Sequence, residues 1–345
     1  MTAHTSSPYW LGIDIGGTKI EVIVLDSTNK LIGQALASTE TSTPTHVIHS
    51  ITAAATQALA LAHTDFTQVA GVGIGIPGQV NPHTGEVTLA VNLNLSHYPL
   101  GQELSQQWGI PVILENDVRA AAVGAYQHFT QHSVFTPHSS LVYLSLGTGI
   151  AAGLVLEGQL YRGANGMAGE VGHIVVDPQG ERCACGQTGC LETIAAGPGI
   201  VRQARQAGLT VTHAGDVYAA ASQNNPLAQA IVHKVSSALC QAIQSLILSY
   251  DVDKLVLGGG VTKAGHQFLQ PILNILAQHR ADSPLVQAML PDEKIALIPA
   301  GFNAGAWGAI ALAREVGTQG NSGNSEELFT NPPITSKLMK NSAEY

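Results

Sequence analysis

A short cysteine-rich segment constrains this chain more than any other feature of its sequence. Cys183, Cys185 and Cys190 lie within eight residues, and His173 precedes them by ten. Tetrahedral Zn²⁺ takes such a Cys3His set as a closed structural site. Two glycines between the last two cysteines let the backbone turn tightly enough for the thiolates to converge. The alternative is a disulfide with a spare thiol, a pattern that is typical of secreted proteins. We therefore expect a structural zinc ion.

Composition and charge limit the partners that this chain can have. Met1–Trp10 contains no Lys or Arg and no apolar run, so we do not expect a signal peptide. No stretch approaches eighteen consecutive apolar residues, which argues against a membrane span. A net charge of −9 with only 15 basic residues argues against a nucleic-acid surface. We expect a cytoplasmic protein that handles small molecules.

The first part of the chain alternates between strand and helix patterns. Two short β-branched runs flank Gly16-Gly17, which predicts a hairpin, and Pro77-Gly78 ends a buried-strand pattern. Alternating strands and helices predict an α/β fold with a parallel sheet covered on both faces. The predicted elements are strands Leu11–Ile15 and Ile20–Leu25, a helix over Thr45–His63, strand Val69–Ile76, a helix after Pro99, strand Val112–Leu114 and a helix ending near Tyr126.

The opening layout of strand, glycine turn and strand returns at Leu141, with Gly147-Thr148-Gly149 as the turn. Two halves that begin alike indicate an internally duplicated fold with a cleft between them. The predicted elements of the second half are strands Leu141–Leu146, Ile150–Leu156 and Gln159–Arg162, a helix over Pro226–Tyr250, strand Lys254–Leu257, a helix near Thr262–Arg280, strand Ile295–Pro299 and a helix near Asn303–Glu315.

The glycine turns are candidate phosphate sites. Glycine has no Cβ, so a turn of this kind can point several amide groups at a phosphate. Neither turn is a Walker A loop, and neither joins a strand to a helix as a Rossmann turn does. Each alone is more typical of a structural hairpin; one per half, facing a shared cleft, they favour a nucleoside triphosphate such as ATP. The candidate nucleotide contacts are Asp14, Gly16, Gly17, Thr18, Lys19, Gly147, Thr148, Gly149, Gly259 and Gly260.

Two aspartates lie at the ends of predicted strands. Asp14 ends the first strand beside a phosphate turn, where a carboxylate can hold Mg²⁺. Asp117 follows Leu114-Glu115-Asn116, at the end of a strand where open α/β sheets place ligands. Asp117 is either an ordinary helix cap or the base that phosphoryl transfer to a hydroxyl requires.

Together, these segments resemble the motif series of the ROK family of bacterial sugar kinases and sugar-responsive repressors. The resemblance extends from about Leu11 to about Glu315. It implies the actin-like ATPase fold, with two ribonuclease-H-like domains and with ATP and sugar in the cleft. The segments that carry it are Asp14–Lys19, Glu115-Asn116-Asp117, Leu146–Gly153, Gly169–His173 and Cys183–Glu192.

The resemblance also assigns roles to individual residues. It implies that Asp117 is the catalytic base and that Gly78 and Asn92 line the sugar pocket. A zinc-bound His173 would keep its second ring nitrogen free for a sugar hydroxyl. The residues that the resemblance assigns to sugar hydroxyls are Asn116, Glu170, His173 and Glu192.

We predict a small N-terminal domain over residues 1–117, completed by the helix near 303–316, and a large domain over 118–302 that carries the zinc loop 173–190. Residues 317–345 are polar and lack periodicity, which predicts a disordered tail. Dimers are common in the family, so we expect a homodimer or a higher homo-oligomer.

The implied function is ATP-dependent phosphorylation of a hexose at its 6-hydroxyl. Leu191–Ala195 looks most similar to the glucokinases of the family, which favours glucose over N-acetylglucosamine or N-acetylmannosamine. A second possibility is a sugar-binding regulator of the same family. Such regulators carry a helix-turn-helix domain before the first phosphate turn, whereas here only ten residues precede Leu11. An actin-like chaperone would leave the zinc loop without a purpose.

Overall fold

The computed structural model describes residues 9–132 and 135–319. The elements of the first half are β1 (Tyr9–Ile15), β2 (Lys19–Leu25), β3 (Leu31–Ser38), α1 (Pro44–Leu61), β4 (Val69–Ile76), β5 (Gln79–Asn81), β6 (Glu86–Ala90), β7 (Leu95–Tyr98), α2 (Leu100–Trp108), β8 (Val112–Asn116) and α3 (Asp117–His132).

The elements of the second half are β9 (Leu141–Leu146), β10 (Ile150–Leu156), β11 (Gln159–Tyr161), α4 (Leu191–Ala195), α5 (Gly197–Gln206), α6 (Ala214–Ser222), α7 (Pro226–Tyr250), β12 (Lys254–Gly258), α8 (His266–Asp282), α9 (Pro284–Met289), β13 (Ile295–Leu297) and α10 (Ala304–Gln319). Short 3-10 helices lie at Phe66–Gln68, Val91–Leu93, Val171–His173, Val261–Ala264 and Asp292–Lys294.

The two halves contain five-stranded sheets of matching order. The first sheet has the order β3-β2-β1-β4-β8 and the second has the order β11-β10-β9-β12-β13. In each sheet the hairpin strands pair antiparallel and the later strands pair parallel. This repetition confirms the duplicated α/β fold. The antiparallel pairs are the strands joined by the two glycine turns, because a tight turn of this kind joins antiparallel strands.

A third, antiparallel sheet, β5-β6-β7, covers part of the first half and was not predicted from the sequence. Its strands are only three to five residues long. Such short runs give little periodicity, because alternation needs several residues before it can be distinguished from a loop.

Two helices, α3 and α10, lie between the large sheets and connect the halves. Helix α10 packs on β1 and β4, α3 packs on β9 and β10, and the two helices pack on each other. The backbones approach so closely that a Cβ built at Gly308 of α10 would lie 1.7 Å from the carbonyl oxygen of Ala120 in α3. The same holds at Gly73 of β4, where a Cβ would lie 1.8 Å from the Ala309 carbonyl oxygen. Glycine is required at both positions.

Helix α7 forms the core of the second half. Within the described residues it is the one helix that is long and apolar enough to cross a membrane, and most of it is buried inside the protein. Its apolar length is therefore explained by packing against its neighbours α4, α6 and α8.

Helix α10 continues to Gln319, so the first residues of the expected tail are helical. Residues 320–345 of that predicted tail lie outside the described residues. The domain division at residue 117 stays a prediction.

Candidate functional site

The carboxyl ends of three parallel strands of the first sheet bring several predicted site residues together. Asp14 lies near the end of β1, Gly78 follows β4, and Asn116 ends β8. The Asn116 Nδ2 group donates to the Gly78 carbonyl oxygen at 3.1 Å. A positive φ of 95° at Gly78 permits this sharp exit from the strand. The edge is where ligands bind in sheets of this kind.

Asn116 acts as the cap of α3. Its Oδ1 atom accepts hydrogen bonds from the backbone N–H groups of Val118 at 3.1 Å and Arg119 at 3.2 Å. Its Nδ2 group also donates to Asp117 Oδ1 at 3.0 Å. Asn116 therefore supplies the side-chain cap of α3, and the carboxylate of Asp117 is held beside it.

Two carboxyl groups at this edge have raised pKa values. Burial raises the pKa of Asp14 to about 7, the nearby Asp117 carboxylate adds to the shift, and a hydrogen bond with Asn303 opposes it. Burial also raises the pKa of Asp117, although backbone N–H groups and Arg119 oppose that rise. Burial and both of these carboxylates raise the pKa of the Tyr143 phenol, which places it in the same region. A carboxylate of raised pKa is suited to accepting a proton near neutral pH.

The first glycine turn is a tight hairpin whose tip is open to solvent. The Gly16 N–H donates to the Lys19 carbonyl oxygen at 2.8 Å, and the Thr39 hydroxyl donates to the Gly16 carbonyl oxygen at 2.8 Å. Gly17 and Thr18 are exposed. A Cβ built at Gly17 would lie 3.5 Å from the Cβ of Asn92, so the phosphate turn and the predicted sugar pocket are neighbours.

The Lys19 side chain lies along β2, toward Glu21. Its Nζ lies 4.0 Å from Glu21 Oε2, and 55% of its side chain is exposed. A phosphate at the turn would have to compete with Glu21 for this ammonium group. A role for Lys19 in binding phosphate stays a prediction.

The second glycine turn forms one wall of a groove of about 1000 Å³. The Gly147 N–H donates to the Gly149 carbonyl oxygen at 3.0 Å, and the Gly197 N–H at the start of α5 donates to the Gly147 carbonyl oxygen at 2.8 Å. The glycine turn after β12 lies beside it, because a Cβ at Gly259 would lie 2.4 Å from the Leu146 carbonyl oxygen. The groove is lined by Gly147, Thr148, Gly197, Pro198, Val201, Arg202, Arg205, Gln206, Thr212, His213, Ala214, Gly215, Gly260, Val261 and Lys263.

Most of the residues that line this groove were not predicted from the sequence. Helix α5, which supplies Arg202 and Arg205, and helix α6, whose first residues line the groove, were not predicted. The signal for α5 is Gly197-Pro198, since proline favours the first turn of a helix. Nothing local shows that this helix faces the turn at Gly147. The contact depends on two segments that lie far apart in the sequence.

The four predicted metal ligands are brought together. The ligand atoms of His173, Cys183, Cys185 and Cys190 all lie within 4.8 Å of one another. Cys185 Sγ lies 3.6 Å from Cys190 Sγ, and Cys183 Sγ lies 3.6 Å from His173 Nδ1. Ligands bound tetrahedrally to one Zn²⁺ through Zn–S bonds of ~2.3 Å stand about 3.7 Å apart. The donor set and its spacing fit zinc. All four cysteines of the chain are free, so the disulfide alternative is not realised here.

The Cys3His cluster lies next to the predicted sugar residues in the sequence. His173 directs Nδ1 at Cys183 Sγ, which leaves Nε2 as its second nitrogen. Glu192 lies two residues beyond Cys190, and its Oε2 atom accepts from the Ile150 N–H at 3.0 Å, next to the second glycine turn. Glu170 is exposed and precedes the 3-10 helix that carries His173. The metal loop and the second glycine turn are therefore joined through Glu192.

Comparisons with known proteins show the family of this chain. The ROK family model matches residues 10–316. The chain is 34% identical to the glucokinase of Halalkalibacterium halodurans over 294 residues, which cover 77% of this chain and 84% of that enzyme. It is 32% identical to the N-acetylmannosamine kinase of Escherichia coli over 275 residues, 79% of this chain and 89% of that enzyme.

Among solved structures, the chain is similar to a glucokinase from Streptomyces griseus in complex with glucose and AMPPNP. The TM-score is 0.72 at 29% identity, covering 89% of this chain and 99% of that one. This similarity confirms the actin-like ATPase fold that the sequence motifs implied.

Proposed function

Since the chain belongs to the ROK family, we propose that it is an ATP-dependent hexose kinase that phosphorylates the 6-hydroxyl of glucose. One observation carries the proposal more than any other. Burial raises the pKa of the Asp117 carboxyl group, which lies at the edge of the first sheet where β1, β4 and β8 end. The first glycine turn and the predicted sugar residues Gly78 and Asn116 lie at the same edge. Phosphoryl transfer from ATP to a hydroxyl needs a base, a phosphate site and a site for the acceptor at one place.

In the proposed reaction, Asp117 accepts the proton of the sugar 6-hydroxyl as that oxygen attacks the γ-phosphorus of ATP. The bond from that phosphorus to the bridging oxygen breaks, and ADP leaves. Burial favours this role, because a carboxylate with a raised pKa is a stronger base than an exposed one. The Asn116 Nδ2 group, at 3.0 Å, holds the carboxylate in one orientation.

The nucleotide phosphates would bind between the two glycine turns. Backbone N–H groups at Gly17 and Thr18, and at Thr148 and Gly149, lie in exposed positions that phosphate oxygens can reach. The groove beside α5 and α6 would then hold the nucleoside. Bound Mg²⁺ would neutralise phosphate charge, and Asp14, the carboxylate beside the first turn, would hold it.

We assign the sugar hydroxyls to Asn116, Glu170, His173 and Glu192, with Gly78 and Asn92 lining the pocket. Zinc would bind His173 and the three cysteines, and its contribution is to fix the imidazole and the loop in place. The role of His173 is then to present Nε2 to a hydroxyl group.

A second substrate has specific support. N-acetylmannosamine kinases match nearly as well as glucokinases, at 32% against 34% identity. The two sugars differ at carbon 2, and a pocket distinguishes such a substituent by shape and by hydrogen bonds. We favour glucose because the segment after the zinc loop is most similar to that of the glucokinases.

A coupled assay of ADP release tests both substrates. The panel contains glucose, mannose, fructose, N-acetylglucosamine and N-acetylmannosamine, each with ATP and Mg²⁺. We expect turnover with glucose, slow ADP release without sugar, and a product that glucose-6-phosphate dehydrogenase oxidises. Turnover only with N-acetylmannosamine would show that this sugar, and not glucose, is the substrate. Sugar binding without phosphorylation under every condition would instead support a regulator.

We further infer that the enzyme works in the cytoplasm as a homodimer or a higher homo-oligomer. The apolar helix α7 is mostly buried in the core, which agrees with a water-soluble protein. Sedimentation velocity of the purified full chain measures the oligomeric state directly. A monomer at micromolar concentration would overturn this part of the proposal.

A further inference from the structure

A buried carboxylate lies directly before the proposed catalytic pair and is held by two arginines. The Glu115 side chain is only 2% exposed. Its Oε1 atom lies 2.7 Å from Arg119 Nε, and its Oε2 atom lies 2.8 Å from Arg162 Nε. The Arg119 side chain is 6% exposed and that of Arg162 is 28% exposed. Burying the Glu115 and Arg119 charges is costly, and such a pair can persist only where the geometry is well satisfied. The proposed chemistry uses none of the three side chains.

On one side, this cluster is attached to the proposed catalytic residues. Glu115 Oε1 also accepts the backbone N–H of Asn116 at 2.9 Å. Asn116 in turn contacts Asp117 at 3.0 Å and Gly78 at 3.1 Å. Any movement of the Glu115 carboxylate therefore acts on the residue that orients the proposed base.

On the other side, the cluster is attached to the loop that leads to Glu170. Arg162 directly follows β11, and Arg119 donates through a terminal nitrogen to the carbonyl oxygen of Gly166. The loop then reaches Gly169, whose carbonyl oxygen accepts the Ala152 N–H at 2.7 Å. Glu170, a proposed sugar residue, comes next.

The loop needs such support, because its backbone turns are built on glycine. Gly163, Gly166 and Gly169 all have positive φ values, of 77°, 66° and 99°. Glycine allows these conformations but also gives the unbound loop more freedom. Within the loop itself, the Ala168 N–H donates to the Arg162 carbonyl oxygen at 3.1 Å, which ties its two ends together at the arginine.

We propose that Glu115, Arg119 and Arg162 are positioning residues that set the spacing between Asn116-Asp117 and Glu170 across the sugar pocket. The proposal rests on the proposed function, since it takes the pocket to bind a sugar. None of the three side chains needs to touch the substrate. The cluster spans β8 and α3 on one side and the loop after β11 on the other, so it acts as a fixed spacer.

The test compares Arg162→Gln with a matched control, Arg280→Gln. Arg280 pairs with Asp292 at 2.7 Å and donates to the Leu290 carbonyl oxygen at 3.2 Å, so it resembles the cluster arginines in its contacts. It lies at the end of α8 and has no proposed role at the site. Each variant is measured for thermal stability, for the KM values of sugar and ATP, and for sugar Kd by calorimetry.

We expect Arg162→Gln to raise sugar KM and Kd roughly tenfold, the lower range for losing hydrogen bonds to a charged group, with ATP KM within about twofold. Arg162→Lys should recover part of the affinity, because it keeps the charge but lacks the planar donor group. Arg280→Gln should leave both KM values unchanged. Equal losses for sugar and ATP, or the same loss in Arg280→Gln, would show a merely structural role and overturn the proposal.

A second variant covers the case in which Arg162→Gln does not fold. Glu115→Asp keeps the charge balance and shortens the carboxylate by one methylene, which alters the spacing between the two arginines. Sugar affinity should again fall severalfold, and unchanged affinity would contradict the proposal. If the wild-type protein binds sugar without phosphorylating any, the kinase proposal fails, whereas the calorimetric comparison still tests the spacer.

Discussion

At the scale of single residues, the surroundings of an aspartate determine the direction in which its pKa is shifted. Burial raises the pKa values of Asp14 and Asp117. Asp26 and Asp65 lie in exposed turns, where hydrogen bonds from neighbouring threonines lower their pKa values. All four are the same residue type, so the difference in pKa comes from their surroundings. Only the first two are suited to accept a proton near neutral pH.

Replacing the proposed base should remove catalysis and spare binding. Asp117→Asn keeps the shape of the side chain but not its basicity, so we expect kcat to fall by at least ~10²-fold with little change in sugar Kd. The matched control is Asp65→Asn, at an exposed helix cap, which should keep wild-type turnover. Steady-state kinetics and calorimetry measure both effects. Near wild-type turnover in Asp117→Asn would refute the assignment.

The raised pKa of Asp14 predicts a pH-dependent cost to stability in the protein without Mg²⁺ or nucleotide. The folded pKa of about 7 lies above the ordinary value of 3.8, so the folded state binds more protons between these values. Stability should therefore fall as pH rises from 4 to 7. We expect Asp14→Asn to stabilise the free protein at pH 8 by at least ~1 kcal/mol.

Urea unfolding at pH 8 and pH 5 measures this effect. The gain from Asp14→Asn should shrink at pH 5, where the folded wild-type residue is already protonated. A gain of the same size at both pH values, or destabilisation at pH 8, would show that charge burial at Asp14 is not its cause.

At the scale of elements, short loops and helix ends hold the site. The loop that carries the Cys3His cluster leads directly into α4, whose Glu192 accepts the Ile150 N–H at 3.0 Å. Asn116 caps α3 while it contacts the exit of β4 at Gly78. Glu192 and Asn116 are thereby each held by a contact to an element other than their own. A change in this loop should therefore weaken sugar binding.

Loss of one zinc ligand should weaken both the metal site and sugar binding. We expect about one zinc per wild-type chain, and less in Cys183→Ser, because a hydroxyl is a far poorer ligand than a thiolate. Sugar Kd should rise, since His173 loses its fixed orientation, while ATP binding should change least. Metal analysis by mass spectrometry and calorimetry with glucose measure these changes.

Cys240→Ala is the matched control, because Cys240 is buried in α7 and lies outside the metal cluster. It should retain full zinc content and full sugar affinity. Freshly purified wild-type protein without zinc would contradict the metal site. Full sugar affinity in zinc-free Cys183→Ser would remove only the coupling to His173.

At the scale of the whole molecule, the two halves are joined through the α3 and α10 pair. The two large sheets have matching strand orders, and each half carries one glycine turn between its first two strands. The closest backbone approach in the helix pair is at Gly308, against Ala120. There is no room for a methyl group between the helices at that point.

Gly308→Ala should therefore destabilise the protein by ~1–3 kcal/mol or more, the usual cost of overpacking. The neighbouring atoms are backbone and cannot move aside cheaply. The matched control is Gly215→Ala in α6, where a Cβ would meet open space, and it should be neutral or slightly stabilising. Urea unfolding measures both. A fully stable Gly308→Ala would show that the helix pair can separate without cost.

Local patterns in the sequence predicted much of the fold. The buried strand Val69–Ile76 and the helix Pro226–Tyr250 agree with the structure to the residue, because Pro77-Gly78 ends the one and Pro226 opens the other. The duplicated layout was visible because strand, glycine turn and strand occur twice. The short strands of the third sheet were missed, since a run of three residues has no measurable period.

The candidate site, like the fold, was predicted from the sequence only in part. By itself, the sequence determined the cysteine and histidine set, both glycine turns and the aspartate after each strand, since all of these depend on residue type at short spacing. Only the tertiary structure decided that α5 and α6 line a groove, that Asn116 supplies the helix cap, and that Glu115 pairs with Arg162, 47 residues away. Burial, pKa and such distant pairs arise when the chain folds back on itself, and no local pattern encodes them.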